Sequence, residues 1–240
     1  MRIFQRGFNY SQDGPGNRLV YHLSGCDLRC PWCCNPEGLS GKGGAEYSVA
    51  DLLDEALRCR MMFFDGGGVT LTGGEFSLQF SESAAFLSAL RDAGIPTAVE
   101  TNGLSPRLPE LFPVIDHLIM DVKHHDPETH RRVTGKPNEV LFQNIEAALR
   151  AGKVPALRIP LIGGFNDSND DAAAYSALFS RFQELGRFTV EILPYHEFGK
   201  GKYRDLGLPY LMDEHARISP DRLTSFSGIL RSAGIPLIHT

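Results

Sequence analysis

Gly25-Cys26-Asp27-Leu28-Arg29-Cys30-Pro31-Trp32-Cys33-Cys34-Asn35 decides how the rest of the chain is read. Cys26, Cys30 and Cys33 follow a C-x3-C-x2-C spacing. Offsets of 0, 4 and 7 would also line one face of a buried helix, but Gly25 and Pro31 argue against one. Proline removes a backbone donor and collides with the preceding turn. A loop that directs three thiolates at one metal centre fits better. Structural zinc takes four ligands, and no second knuckle or His pair follows at finger spacing. Cys34 adjoins Cys33 and cannot easily turn toward the same ion, and Cys59 falls in a predicted helix. Three ligands suit a 4Fe–4S cluster with one iron left open, where a ferredoxin would supply four cysteines.

Working outward, strands and helices alternate. Arg18–Leu23 reads as a strand that delivers the chain to the Cys loop. A helix capped by Ser48 carries Leu52, Leu53, Ala56 and Leu57 at helical spacing. Strands are predicted at 69–72, 97–100, 117–120, 154–162, 188–193 and 236–239. Helices are predicted near 81–93, 109–112, 138–151, 167–185 and 220–233, with 124–136 as a polar connection. About six such repeats predict an α/β fold: a partial (β/α)6 barrel, an open parallel sheet with helices outside. The polar motifs fall just after strands, at the Cys loop, 73–75, 100–103, 121–123 and 194–196. That is the carboxyl edge, where parallel α/β folds build their sites.

The 240 residues contain no linker, repeat or low-complexity tract, so one domain over 1–240 is expected. The net charge is −5, with the two signs interleaved and no basic stripe, which argues against a nucleic-acid partner. No apolar run approaches the ~20 residues of a membrane span, and residues 1–7 have no signal-peptide core. Five cysteines, three of them clustered, are not a disulfide framework. A cytoplasmic location and low-oxygen conditions are expected.

Collected together, these motifs resemble the radical S-adenosylmethionine (SAM) superfamily, and within it the pyruvate formate-lyase activating enzyme type. The residues that carry the resemblance are Asp13-Gly-Pro-Gly16 with Arg18, Gly25-Cys26 to Cys33 with Asn35-Pro36, Gly66–Glu75, Thr101-Asn-Gly103, Asp121-Val-Lys123, and Leu193-Pro-Tyr-His196 with Gly199. They run collinearly over nearly the whole chain.

The resemblance implies that Cys26, Cys30 and Cys33 hold a 4Fe–4S cluster whose open iron binds SAM. Reductive cleavage would give a 5′-deoxyadenosyl radical that takes hydrogen from a glycine Cα in a partner glycyl radical enzyme. It places Trp32, Cys33 and Cys34 near adenine, and Gly74 and Glu75 at the methionine ammonium. Asp121, Val122 and Lys123 would meet the nucleoside and methionine parts, with His196 as a further contact and Arg158 offsetting the carboxylate. Glu100, Thr101 and Asp121, with the Ile119 carbonyl, would form a monovalent-cation site; Glu100 stands where well-known relatives carry Asp. Read without the resemblance, Asp121–Lys123 is a surface ion pair, His196 a rim histidine and Arg158 half of a structural salt bridge.

Asp13–Arg18 is expected at the site's rim, against the partner's glycine loop. The ferredoxin-like insert of many relatives is absent, so an external reductant such as flavodoxin or ferredoxin is implied. Two alternatives stay open: a radical SAM enzyme acting on a small molecule, and an electron carrier or sensor without catalysis.

Overall fold

The computed structural model describes residues 1–238 and shows an α/β protein with a mostly parallel, open sheet and helices around it. The His239 end of the expected last strand lies outside the described residues. Contacts divide the chain into two compact units, Met1–Asp27 with Glu37–Ile119, and Leu28–Pro36 with Met120–Thr240.

The first unit contains β1 (Arg2–Tyr10), β2 (Asn17–Leu23), β3 (Ala45–Glu46), α1 (Val49–Arg58), β4 (Val69–Gly73), α2 (Phe80–Asp92) and β5 (Thr97–Thr101). Its strands lie in the order β3-β1-β2-β4-β5. β2, β4 and β5 are parallel, with Leu19 opposite Val69 and Val69 opposite Thr97. These strands are buried along nearly their whole length, so polar side chains such as Arg18, Thr70 and Thr72 are enclosed together with the apolar ones. Tyr21 packs edge-on against Phe86 of α2, their ring centroids 5.7 Å apart. Burying each such side chain contributes roughly 2–3 kcal/mol. α1 starts at Ser48, whose hydroxyl accepts from Asp51 N–H while Asp51 reaches back to the Ser48 N–H.

β1 was not expected. It forms an antiparallel hairpin with β2 through the turn at 11–16, where Ser11 N–H donates to Gly16 C=O at 2.9 Å. Only Ile3 of its nine residues is buried, so the strand shows no apolar periodicity.

The hairpin also corrects the expected place of Asp13–Arg18. The turn enters β2 at its amino end, whereas the Cys loop leaves at its carboxyl end. Seven residues of strand, roughly 20 Å at about 3.3 Å per residue, separate the two. Arg18 itself is 0% exposed. Its Nε donates to Thr70 Oγ1 at 2.7 Å, Nη2 donates to the carbonyls of Val69 (2.8 Å) and Pro96 (3.0 Å), and Nη1 donates to those of Pro15 (3.2 Å) and Gly66 (3.4 Å). Arg18 therefore organises the amino-terminal strand ends and has no surface to offer a partner.

The unit boundary falls within β6 (His117–Asp121). The second unit continues with α3 (Pro127–Thr134), α4 (Glu139–Arg150), β7 (Ala156–Leu161), α5 (Asn169–Gln183), β8 (Thr189–Pro194), α6 (Lys200–Asp205), α7 (Pro220–Ser232) and β9 (Leu237–Ile238). β7, β8 and β9 are parallel neighbours. Tyr175 and Phe179 of α5 pack on each other and on Phe226 of α7 and Phe188, forming an aromatic core beside β8. No helix among the described residues is long and apolar enough to cross a membrane.

α3 occupies the stretch expected to be a polar connection. Asp126 caps it by accepting from Thr129 N–H, Pro127 opens its first turn, and Gly135 closes it at φ 99°. Its mean composition is polar, but it buries His130, which is 1% exposed. The His130 Nδ1–H donates to the Lys136 carbonyl at 2.5 Å. Burial is the largest cause that lowers the His130 pKa from 6.5 to about 4. A depressed folded-state value means that this site's stability is present above pH 6.5 and is lost as pH falls toward about 4. The loss should amount to about 3 kcal/mol. Urea midpoints measured across that window should fall with acid in the parent and fall less steeply in His130→Leu. Equal slopes would contradict the assignment.

Candidate active site

In the first unit, three strand ends converge. β2 runs into Gly25, Cys26 and Asp27; β4 into Gly74 and Glu75; β5 into Asn102 and Gly103. Gly74 N–H donates to Leu23 C=O at 2.8 Å, and Glu75 N–H donates to Gly25 C=O at 2.6 Å. A Cβ on Gly74 would lie 2.1 Å from the Gly25 carbonyl oxygen. The absent side chain at 74 therefore serves the contact with the Cys loop directly, and any role toward a ligand comes in addition.

Glu75, expected opposite an ammonium, is 1% exposed. It accepts from Thr101 Oγ1 at 2.8 Å, from Asn102 N–H at 2.9 Å and from Ser77 N–H at 3.1 Å. Burial pushes its carboxyl above the usual range, opposed by the hydrogen bonds from Asn102, Ser77 and Thr101. The carboxylate thus ties the end of β4 to the end of β5. Of the expected cation ligands in this unit, Thr101 is buried and engaged with Glu75, and Glu100 accepts from Thr72 Oγ1 at 2.9 Å.

In the second unit, Cys33 N–H donates to Cys30 C=O at 3.1 Å, closing a tight turn between two of the expected ligands. Asn35 N–H donates to Cys33 Sγ at 3.4 Å. Such a donor stabilises a thiolate and tunes a cluster held by it. Asn35 Oδ1 in turn accepts from Lys202 Nζ of α6 at 3.2 Å. Gly199, which caps α6, lies so close that a Cβ there would sit 2.7 Å from Cys33 O and 2.9 Å from Cys34 Cα. Trp32 packs on Phe165, centroids 4.9 Å apart, and Phe165 packs on His124 at 5.0 Å. No disulfide joins any of the five cysteines among the described residues.

Beyond β6, Lys123 Nζ meets Asp121 Oδ2 at 2.6 Å, both side chains partly buried. Val122 is buried; its N–H donates to Arg158 C=O at 2.7 Å and its carbonyl accepts from Tyr175 OH at 3.3 Å. Asn166, fully buried, donates to the Lys123 carbonyl at 3.0 Å and to that of Pro160 at 2.8 Å. Arg158 Nε pairs with Glu191 Oε2 at 2.8 Å, with the two residues 6% and 4% exposed. This is the structural salt bridge that the sequence held open beside a cofactor role. His196, past the end of β8, stacks on Phe198 at 4.2 Å, and burial lowers its pKa.

Sequence reasoning did not single out Asp27, Phe165 or Asn166, and it took Asn102 only as part of a motif. Asn166 lies in a post-strand Gly163-Gly-Phe-Asn run, a signal of the same kind as those that were read. Asn102 Nδ2 donates to Asp27 Oδ1 at 2.8 Å, a contact that depends on β2, β4 and β5 being successive neighbours.

The donor set fits an iron–sulfur cluster: three cysteines, a backbone N–H aimed at one sulfur, and no fourth cysteine at ligand spacing. The family model of the radical SAM superfamily matches residues 20–175, more than half of the chain. A pyruvate formate-lyase-activating enzyme of Streptococcus mutans is 32% identical, covering 92% of this chain and 88% of that one. A choline trimethylamine-lyase activating enzyme of Oleidesulfovibrio alaskensis is 27% identical, covering 94% and 93%. A solved domain of a pyruvate-formate lyase-activating enzyme from Bacteroides vulgatus superposes with a TM-score of 0.59 at 25% identity, covering 72% of this chain and 98% of that one. The family implies a 4Fe–4S cluster and SAM. The chain belongs to the radical SAM superfamily and, within it, to the pyruvate formate-lyase activating enzyme type.

Proposed function

We infer that this protein activates a glycyl radical enzyme by generating a glycyl radical on it, with pyruvate formate-lyase as the first partner to test. The observation that carries this reading is the Cys26–Cys30–Cys33 loop within a chain that matches activating enzymes along most of its length. When bound, the cluster and SAM would supply a one-electron reductive cleavage and a carbon radical able to take hydrogen from a glycine Cα.

In this reading Cys26, Cys30 and Cys33 hold the cluster. Trp32 with the Cys33 and Cys34 backbone receives adenine, and Gly74 presents main chain to the methionine end. Glu75 acts chiefly by fixing that main chain, since both its oxygens are engaged within the protein. The ion pair with Lys123 sets the rotamer of Asp121, leaving a partly exposed carboxylate oriented toward a ribose or a cation. Val122 holds that segment in place, and His196 adds a ring at the site. Arg158, held by its salt bridge to Glu191, would offset the charge of the cofactor carboxylate. A monovalent cation at Glu100, Thr101 and Asp121 belongs to the same proposal, as do one domain over 1–240, a flavodoxin or ferredoxin reductant and the cytoplasm.

The test is anaerobic. Reconstituted, reduced protein should convert SAM to methionine and 5′-deoxyadenosine in equal amounts. A protein that holds its cluster through many minutes of reduction without cleaving SAM would be an electron carrier, and the proposal would fall.

A further inference from the structure

Asn102 touches the Cys loop without being one of the expected ligands. Its Nδ2 donates to Asp27 Oδ1 at 2.8 Å, and Asp27 directly follows Cys26. Its Oδ1 accepts from Leu104 N–H at 2.9 Å, so both ends of the amide have matched partners and its orientation is fixed. Its backbone N–H donates to Glu75 Oε2 at 2.9 Å, and the residue is 8% exposed. On the other flank of Cys26, Gly25 C=O accepts from Glu75 N–H, and Gly25 N–H donates to Gly38 C=O, each at 2.6 Å. Both neighbours of Cys26 are thus tied to the ends of β4 and β5, one through Glu75 and the other through Asn102.

We propose that Asn102 is a positioning residue for the iron–sulfur centre: by anchoring Asp27 it sets the direction of Cys26 Sγ, and with it the retention and electronic signature of the cluster. The inference rests on the reading of Cys26, Cys30 and Cys33 as ligands. A thiolate's aim follows its own backbone and χ1, and the Asn102–Asp27 bond adds, on the residue next to Cys26, a hold to match the one at Gly25. The Asn102–Asp27 bond has a charged acceptor, which makes it short and strong. Partners that orient a metal's ligands typically govern tenfold to hundredfold in retention.

The experiment compares the parent with Asn102→Ala, Asp27→Ala, Asp27→Asn and the double Ala variant, each reconstituted without oxygen. Iron is counted, release to a chelator is followed by cluster absorbance, and the reduced samples are examined by electron paramagnetic resonance. Asn102→Ala and Asp27→Ala should each release iron about tenfold faster with shifted g values, and the double variant no faster than either single. Asp27→Asn keeps the acceptor oxygen and should stay within about twofold of the parent. Melting of the cluster-free proteins separates a general loss of stability, since Asp27→Ala should melt close to the parent. Parental release rates and g values in both single Ala variants, or strictly additive effects in the double, would overturn the proposal. A parent that holds no iron would instead overturn the ligand reading beneath it.

Discussion

Replacing Cys26, Cys30 or Cys33 by Ala should abolish cluster binding and SAM cleavage while leaving a folded, soluble protein. Each removes one of three thiolates from a centre that has no spare cysteine at ligand spacing, so partial retention is not expected. None of the three belongs to a helix or strand, and each is only partly buried, which is why the fold should survive. Cys34→Ala and Cys59→Ala should keep their iron. Cys59 caps the carboxyl end of α1 and leads into Arg60–Met62, and the Met62 carbonyl accepts from Asn17 Nδ2 at 2.8 Å. Asn17 opens β2, so Cys59 belongs to the end of that strand opposite Cys26. Iron and sulfide content after anaerobic reconstitution is the measurement. Iron lost as completely from Cys59→Ala as from Cys30→Ala would contradict the three-ligand assignment.

Arg18→Met should markedly destabilise the fold even though it lies away from that loop. Burial lowers the Arg18 pKa to about 10, against the pull of Asp116 and Asp13, so the group is still a cation at neutral pH. Among the described residues no carboxylate bonds it directly. Four backbone carbonyls and the Thr70 hydroxyl receive its protons, and Thr70 passes the connection on by donating to Asp13 C=O at 2.8 Å. Methionine removes the desolvated charge, which is favourable. It also strips donors from several buried acceptors at roughly 1–3 kcal/mol each, and that side wins because several acceptors lose their donor together. A net loss of about 3 kcal/mol is expected, roughly 10 °C in melting temperature for a chain of this size. Arg18→Lys, with three donors on a slimmer head, should fall between. A melting point for Arg18→Met within about 2 °C of the parent would show that the carbonyls find other partners.

The alternating core was legible because its side chains declare it. Leu52 and Ala56 recur at helical spacing, and Val69 and Leu71 alternate with Thr70 and Thr72 in a short, largely β-branched run ahead of glycines. β1 was not legible, since a strand with one buried residue in nine owes its conformation to hydrogen bonds with β2. α3 was half legible: Asp126, Pro127 and Gly135 mark both its ends, but a helix that buries His130 and Thr134 on an otherwise polar surface shows no apolar stripe. Positions after strands were read correctly as places where polar groups gather. Contacts between them were not, because the Asn102–Asp27 and Glu75–Thr101 bonds join residues 75 and 26 positions apart, on separate strand ends. Asp13–Arg18 was misplaced for a related reason: nearness in sequence to Cys26 suggested nearness in space, and a strand lies between them.

The reaction inferred for this protein is hydrogen abstraction from a partner's glycine. It is tested most directly by incubating the reduced, cluster-loaded protein with SAM and pyruvate formate-lyase carrying dideuterated glycine, in the absence of oxygen. Deuterium should appear in 5′-deoxyadenosine, and a radical signal should grow on the partner in step with it. Deoxyadenosine formed without deuterium, and no radical on pyruvate formate-lyase or on choline trimethylamine-lyase tested alongside, would contradict the account and point to a small-molecule substrate.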